Sequence, residues 1–290
     1  MRGWLRAVLL GGLITALLTG CNPAGVDGSL TDDWKAVPEP APFVPATGVC
    51  HAGTRPVTRT SLGLYLPLDC AGEHGFETIH VGQFTGADAS SATAPELGSP
   101  AVEAAFAQCD AKAEEYLGGD WRAARLNLHL LLPSLQTWDG GGRWFRCDLS
   151  EIDAIHSAET QARSGPLRDV LKAASPLAYN CFKVVLSADE RQVSQMNQVA
   201  CTKAHRTEFV GIWTAPDTSH ADFVKNQKGA EAGCQKLMAA YVKAPNDSAL
   251  ASRFTTIFYY PIEERWKAGD RGVQCFLWVY GKEATRSLKG

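Results

Sequence analysis

The stretch CAGEHGFE, residues 70–77, recurs as CTKAHRTE, residues 201–208. Both stretches keep a cysteine, a histidine four positions later and a glutamate three positions after that. In each case another cysteine, Cys50 or Cys181, lies 20 residues before the first. Rare residues that return with the same spacing predict a chain built from two copies of one domain.

Further spacings repeat downstream, and they define how far each copy extends. Proline, tryptophan, arginine and cysteine follow one another at intervals of 5, 5 and 4 residues, as Pro133, Trp138, Arg143 and Cys147 and as Pro261, Trp266, Arg271 and Cys275. A cysteine and a tyrosine lie seven residues apart in both copies, as Cys109 and Tyr116 and as Cys234 and Tyr241. We therefore predict a first repeat at residues 48–158, a linker at 159–177 and a second repeat at 178–290.

Each copy has apolar patterns typical of strands, with one helical pattern between them. Leucines alternate over residues 62–69 and 126–132, which indicates half-buried strands. Between these segments, Ser99 followed by proline favours a helix start, and Gly118 favours its end. The predicted fold class is α+β: two tandem homologous domains, each a small, mostly antiparallel sheet with one packed helix, stapled by disulfides.

The second copy and the linker carry weaker patterns. Residues 193–200 are the counterpart of the leucine-rich strand, and the helix of this copy is predicted to begin near Ser219, with Asp222 completing a capping box. Residues 152–162 and 167–174 have the composition of short helices.

The first 21 residues have the features of an export signal. A short basic segment precedes an apolar run at residues 7–18, which is too short to cross a bilayer comfortably. The following Leu-Thr-Gly-Cys at 18–21 resembles the bacterial lipobox. We therefore predict a signal peptide at residues 1–20 and lipidation of Cys21. An ordinary secretory signal cleaved near Ala24 is the alternative.

Lipidation of Cys21 would bind the protein to the cell membrane on its extracytoplasmic face, because acyl chains hold a protein stably on a bilayer. Residues 21–47 are rich in proline, which favours an extended tether. Within this tether, Trp34 and Phe43 are candidates to dock on the first repeat.

The cysteine count also indicates an exported protein. Nine cysteines are present, and without Cys21 eight remain, four in each repeat, which predicts disulfides. Two cysteines flank a predicted hairpin in each repeat, and the other two lie on the helix and the last strand. We favour the pairs Cys50–Cys70, Cys109–Cys147, Cys181–Cys201 and Cys234–Cys275. A pattern that crosses these pairs remains open.

The histidine and glutamate of each motif are candidate site residues. His74 with Glu77, and His205 with Glu208, could contact a partner or bind a cation. A closed zinc site needs four ligands, and oxidised cysteines are lost as ligands. The structural alternative places each histidine in a turn, where it bonds the backbone and pairs with its glutamate.

The repeated tryptophan and arginine form a second pair of candidates. Trp138 with Arg143, and Trp266 with Arg271, occur in predicted turns and are candidates for partner contacts. The alternative is that arginine stacks on the indole and covers a small core.

Composition excludes several classes of function. The formal net charge is −3 and basic residues are scattered, so no nucleic-acid partner is expected. The sequence has no nucleophile elbow and no phosphate-binding glycine loop after a strand. We therefore expect no enzymatic activity and no cofactor.

With these motifs in place, each copy resembles the septum-formation domain of actinobacterial lipoproteins and membrane proteins. The matching residues of the second copy are Cys181, Cys201, His205, Glu208, Cys234, Pro261, Trp266, Gly269, Arg271, Cys275 and the tail Ser287-Leu288-Lys289-Gly290. The first copy matches at Cys50, Cys70, His74, Glu77, Cys109, Pro133, Trp138, Arg143 and Cys147, with the tail reduced to Ser164-Gly165-Pro166-Leu167-Arg168. The resemblance implies a link to the division septum or the cell envelope.

Two hypotheses follow. The first is a lipid-anchored, non-enzymatic binding or scaffold protein of the envelope, with an unknown protein or cell-wall partner. The alternative is a metal-binding envelope enzyme or metal carrier that uses the two His-x-x-Glu pairs.

Overall fold

The computed structural model describes residues 41–60, 62–155, 157, 159–189 and 192–290. Residues 42–290 form one compact unit. The predicted signal peptide, Cys21 and the tether as far as residue 40, including Trp34, lie outside the described residues. Among the residues described, no helix is both long enough and apolar enough to cross a membrane.

Nine strands lie between residues 50 and 164 of the described chain. They are β1 (Cys50–His51), β2 (Arg59–Thr60), β3 (Pro67–Leu68), β4 (Glu73–His74), β5 (Phe76–Gln83), β6 (Leu126–Pro133), β7 (Trp144–Ile152), β8 (Thr160–Gln161) and β9 (Arg163–Ser164). The first sheet has the order β2-β6-β7-β5-β1-β3, with β8 on β7, and β4 pairs separately with β9. All pairs are antiparallel except β2 with β6, so the expected antiparallel character is confirmed.

The second sheet has five strands and the same order of equivalent strands. They are β10 (Cys181–Leu186), β11 (Val193–Val199), β12 (Thr207–Thr214), β13 (Phe254–Tyr259) and β14 (Gly272–Val279). The order β13-β14-β12-β10-β11 corresponds strand for strand to β6-β7-β5-β1-β3 of the first sheet. The strand predicted at residues 193–200 is therefore present as β11.

Seven α-helices occur in the described residues, and two of them are long. They are α1 (Gly86–Ser90), α2 (Pro100–Leu117), α3 (Leu135–Asp139), α4 (His220–Lys225), α5 (Lys228–Tyr241), α6 (Ser248–Ala251) and α7 (Glu263–Ala268). Helix α2 begins and ends as predicted: Ser99 Oγ accepts from the Val102 N–H, and Gly118 adopts φ 77°.

The second helical pattern forms two helices rather than one. Ser219 caps α4 by accepting from the Asp222 N–H, as the sequence predicts. The chain leaves the helical conformation at Asn226, and α5 begins only at Lys228. The predicted start is therefore correct, but the prediction of one continuous helix is wrong.

The long helices pack on the sheets through their apolar faces, and disulfides join the two layers. In α2, Val102, Phe106 and Cys109 are at most 4% exposed and face the first sheet. Cys109 bonds to Cys147 on β7, and Cys234 of α5 bonds to Cys275 on β14. The remaining bridges are Cys50–Cys70 and Cys181–Cys201, so the four pairs are those favoured from the sequence.

Two local predictions are wrong. The alternating leucines at 62–69 form a short 3₁₀ turn and the two-residue strand β3, with Leu62 and Leu66 63% and 75% exposed. Pro67 lacks an N–H group and limits the ladder that this segment can form with β1. The short helices expected at 152–162 and 167–174 are also absent from the described residues: β7 runs to Ile152, and the second segment forms turns.

A buried ionic cluster joins the two repeats. Arg122 lies 2.9 Å from Asp270 and 2.8 Å from Asp110, and Arg265 also contacts Asp270. Burial alone would lower the pKa of Arg122, but the carboxylates of Asp270 and Asp110 outweigh it and raise the pKa above its ordinary value. The guanidinium groups of Arg122 and Arg265 both lie over the Trp121 ring, at 4.3 and 4.5 Å from its centroid.

The start of the described chain packs on the first sheet. Phe43 contacts Tyr65 and Trp144, with ring centroids 5.1 and 6.0 Å away, and its carbonyl accepts from Trp144 Nε1. The docking predicted for Phe43 is therefore confirmed.

Candidate functional site

The glutamate of each repeated motif lies at the centre of a buried cluster. Glu77 is on β5 and Glu208 is on β12, and each residue is opposite the first cysteine of its repeat, Cys50 or Cys181. The two glutamates are only 1% and 0% exposed. Because a buried carboxylate is costly unless it is well hydrogen-bonded, the identity of its donors determines what each cluster does.

The Glu77 cluster consists of His74, Glu77, Tyr116 and Leu167. Tyr116, at the end of α2, donates its hydroxyl to Glu77 Oε1. The backbone N–H of Leu167 donates to Oε2 at 2.8 Å. Burial, and secondly the hydrogen bond to Glu77, raise the pKa of Tyr116 above its ordinary value, so the phenol remains a donor.

The Glu208 cluster consists of His205, Glu208, Tyr241, Ser287 and Leu288. Tyr241 Oη and Ser287 Oγ donate to Glu208 Oε2 at 2.7 and 3.0 Å. The Leu288 N–H lies 2.9 Å from Oε1, on which His205 Nε2 also converges at 2.9 Å. This carboxylate therefore ties together β12, α5 and the last residues of the chain.

The two histidines have the same backbone contact but different ring contacts. Nδ1 of His74 lies 2.8 Å from the Gly72 carbonyl, and Nδ1 of His205 lies 2.7 Å from the Lys203 carbonyl. Both nitrogens of His205 therefore lie within hydrogen-bond distance of an oxygen, since Nε2 is 2.9 Å from Glu208 Oε1. By contrast, Nε2 of His74 is buried without a hydrogen-bond partner among the described residues.

A disulfide lies against each cluster. Sγ of Cys50, a nitrogen of His74 and a carboxylate oxygen of Glu77 all lie within 4.8 Å of one another. Cys181, His205 and Glu208 are grouped in the same way. Both cysteine sulfurs are in S–S bonds, so they are not thiolate ligands in this state.

The tryptophan and arginine of each repeat form a turn that is packed into the molecule. Arg143 lies over the Trp138 ring at 4.0 Å and donates to the Trp138 carbonyl at 2.6 Å. Arg271 lies over Trp266 at 4.7 Å and makes the same carbonyl contact. Trp138 and Trp266 are 1% and 2% exposed, and each indole N–H donates to a backbone carbonyl.

The structure thus brings the predicted site residues into two buried clusters and two packed turns. A partner would reach His74, Glu77, His205 or Glu208 only after the segments that cover them had moved, so their role in partner binding stays a prediction. The interpretation of the histidines as turn residues agrees with their contacts in both repeats.

Sequence reasoning missed the donors that complete the clusters. Tyr116 and Tyr241 were visible in the repeated Cys-to-Tyr spacing, which was the available signal. Leu167 and Leu288 donate backbone N–H groups, so their side chains could not reveal the contact. Asp270 and Arg122 belong to no repeated spacing, so nothing in the sequence indicated that their side chains are in contact.

An open groove lies beside β11, away from these clusters. This β11 groove has a volume of about 560 Å³ and is lined by Arg125, Asp153, Ala154, Pro176, Asn180 and residues 196–201. β11 is the outermost strand of its sheet, and it carries no charged residue and no proline. Its counterpart in the first sheet, β3, has only two residues, one of them Pro67.

The free edge of β11 has a defined register. The N–H groups of Phe209 and Arg206 donate to the carbonyls of Asn180 and Phe182. The backbone N–H and C=O groups of even-numbered residues along β10 therefore point towards β12. The backbone groups of odd-numbered β10 residues point towards β11, where they lie opposite Val199, Asn197 and Gln195. The backbone N–H and C=O groups of Met196 and Gln198 consequently point away from β10, at the outer edge of the sheet.

These features define a disulfide-linked α+β protein in which the repeated polar residues hold the fold together. The chain belongs to the family described as "Septum formation", whose model matches residues 47–275. Membership of this family, inferred from the motifs, is thereby confirmed, whereas two separate copies of its domain and the lipoprotein character stay predictions. No curated protein matches the chain, and no solved structure matches it.

Proposed function

We propose that this protein is a lipid-anchored, extracytoplasmic and non-enzymatic binding protein of the cell envelope that acts in septum formation. Lipid at Cys21 would hold it on the membrane, and its two tandem domains would each use a mostly antiparallel sheet with one packed helix. Membership of the septum-formation family supports the envelope role. Four disulfides suit an oxidising compartment.

The observation that supports the non-enzymatic part is that the two repeated glutamates are buried and bonded to donors within the protein. Glu208 accepts from Tyr241, Ser287 and Leu288, and Glu77 accepts from Tyr116 and Leu167. Every oxygen of the two carboxylates accepts at least one hydrogen bond, so these groups hold elements of the fold together.

The partner would bind at the β11 groove as an extended polypeptide. An unpaired strand edge presents alternating N–H and C=O groups, and only another extended backbone matches that pattern. Asn197 lines the groove with an exposed amide side chain, whereas the amide nitrogens of Asn180 and Gln198 already donate to the Ala178 carbonyl. Strands exposed in this way are commonly protected by charge or proline, and β11 has neither.

A matched pair of variants tests this site. Met196→Pro removes the outward N–H of Met196, whereas Met196→Ala removes the same side-chain contacts and keeps that donor. Proline is tolerated where an edge N–H faces outwards, so both variants should fold, which circular dichroism would check. A photocrosslinking amino acid in place of Asn197, in the full chain in cells, should give a discrete protein adduct that Met196→Pro removes and Met196→Ala retains.

The adducts also separate the other possible occupants. A crosslinker at Lys112, on the exposed face of α2, serves as the matched control and should give no such adduct. Adducts containing cell-wall glycan, adducts with a second copy of this chain, or adducts unaffected by Met196→Pro would each contradict a partner strand at β11.

The anchor has its own test. Intact-mass analysis of the mature protein should show an N-terminal Cys21 that carries acyl chains. A mature N-terminus near Ala24 without lipid would overturn the anchored form of the proposal.

A further inference from the structure

We propose that the Glu77 cluster becomes a closed binding site for Zn²⁺ or a similar divalent transition metal when the Cys50–Cys70 disulfide is reduced. The ligands would be the two thiolates, His74 Nε2 and a carboxylate oxygen of Glu77. Two thiolates, an imidazole and a carboxylate are ligand types that zinc accepts, and four protein ligands make a structural site with no open position.

The state of His74 is the first observation that supports this site. Its Nδ1 lies 2.8 Å from the Gly72 carbonyl, which assigns the proton to Nδ1 and leaves Nε2 with a free lone pair. His74 is 2% exposed, and Nε2 has no partner among the described residues. An imidazole whose other nitrogen donates to a carbonyl is the usual arrangement of a metal-binding histidine.

The positions of the other ligand atoms are the second observation. Cys50 Sγ, His74 and Glu77 offer atoms that lie within 4.8 Å of one another. Cys70 is bonded to Cys50 in the disulfide, so the fourth ligand is already beside the other three. Coordination would therefore need side-chain adjustments rather than a new fold.

Exposure determines which bridges a reductant reaches. Cys70 is partly exposed, whereas both members of Cys109–Cys147 and of Cys234–Cys275 are 0% exposed. A dithiol attacks Cys70 Sγ, and exchange converts the dithiol to its cyclic disulfide while the S–S bond of the protein accepts two electrons and two protons. The two cysteine thiols then lose their protons as the metal binds.

The Glu208 cluster is an internal control, because its histidine is already engaged. His205 Nε2 lies 2.9 Å from Glu208 Oε1, and that carboxylate has donors from Tyr241, Ser287 and Leu288. A metal there would displace these contacts, whereas His74 Nε2 has none to lose. We therefore place the site in the first repeat.

Co²⁺ titration of the full chain tests this proposal, because Co²⁺ bound to thiolates in tetrahedral geometry gives strong visible and near-ultraviolet bands. The disulfide-bonded protein should show no such bands. The protein is then reduced with a phosphine, and alkylation mapping checks that the α2–β7 and α5–β14 disulfides are intact. The reduced protein should bind one Co²⁺, and Zn²⁺ should displace it. His74→Gln should weaken binding at least about tenfold, and His205→Gln should leave it unchanged.

A second variant guards against unfolding of the reduced protein. Cys70→Ala frees Cys50 without any reductant and keeps three of the four ligands, so it should bind Co²⁺ with one thiolate band, and circular dichroism should match the parent. The proposal is overturned if neither the reduced protein nor Cys70→Ala shows thiolate bands. It is also overturned if His205→Gln removes the bands and His74→Gln does not.

Discussion

The backbone N–H of Leu288 lies 2.9 Å from Oε1 of Glu208, a residue 80 positions earlier in the chain. Leu167 makes the equivalent contact with Glu77, at 2.8 Å and across 90 positions. In both cases, a segment that follows β9 or β14 is therefore held by a buried glutamate from the His-x-x-Glu motif. This relationship explains why the motif and the Ser-Leu tail occur together.

Glu208→Gln should destabilise the protein by about 2 kcal/mol or more. An amide presents one acceptor oxygen and an NH₂ group where the carboxylate accepts from Tyr241, Ser287 and Leu288. Urea denaturation would measure the change. Glu96→Gln, at an exposed loop position, should change stability by less than about 0.5 kcal/mol. Equal effects of the two variants would contradict the structural role of Glu208.

Asp270→Ala should cost about 3–5 kcal/mol, because it leaves the buried Arg122 and the neighbouring Arg265 without their shared carboxylate. Glu263→Gln is the matched control: its partner Lys267 lies 2.7 Å away, but both side chains are about half exposed, at 56% and 51%. That change should cost far less than Asp270→Ala, because solvent screens an exposed ion pair. Thermal and chemical denaturation would compare the stabilities of the two variants. A small loss of stability for Asp270→Ala would show that the ionic cluster does not stabilise the contact between repeats.

Stability should fall as the pH drops below about 6.5, partly because of His129. Burial, and secondly Arg265, lower the pKa of His129 from 6.5 to about 3. Between these values the unfolded chain binds a proton that the folded chain does not, so stability present above the ordinary pKa is lost as the pH falls towards the folded pKa. The contribution is at most about 1.4 kcal/mol per pH unit.

His129→Gln should therefore flatten the dependence of the unfolding free energy on pH within this window. Denaturant titrations at several pH values would provide the slopes. Burial and Arg146 also lower the pKa of His51, so His51→Gln should change the slope in the same direction. An unchanged slope in His129→Gln would contradict the assignment.

Truncation of two leucines to alanine should change the stability of the protein by very different amounts. Leu167→Ala should cost about 2–5 kcal/mol, since its side chain is 0% exposed and belongs to the same buried cluster as Leu117 and Leu149. Leu66→Ala should change stability by less than about 0.5 kcal/mol, because Leu66 is 75% exposed. Denaturation midpoints would test the pair, and a large loss for Leu66→Ala would mean that its segment packs against something else.

The sequence predicted the fold best where a local rule acts alone. Ser99 and Gly118 bound α2 because capping and the left-handed conformation of glycine are local properties. The alternation at 62–69 misled because alternation indicates a strand only when a neighbouring strand is available. β1 offers just two residues for pairing, and Pro67 occupies half of β3.

The candidate site could be predicted only in part from the sequence, because some of its contacts depend on segments that are distant in the chain. The sequence identified His74, Glu77, His205 and Glu208, and the spacing to Tyr116 and Tyr241 was visible. Backbone donors such as Leu167 carry no sequence signal, since every residue but proline has an N–H group. Whether that group meets a buried carboxylate depends on contacts between segments far apart in the chain.

By itself, the sequence determined the repetition, the α+β class, the caps of the first long helix and the family, because spacing and local propensity are written along the chain. Only the tertiary structure decided that the repeated glutamates bind distant N–H groups and that Arg122 meets Asp270. It also decided that β11 is the outermost strand of its sheet among the described residues. These features arise when segments separated by 80 or more residues pack together, and burial then fixes which polar groups must be paired.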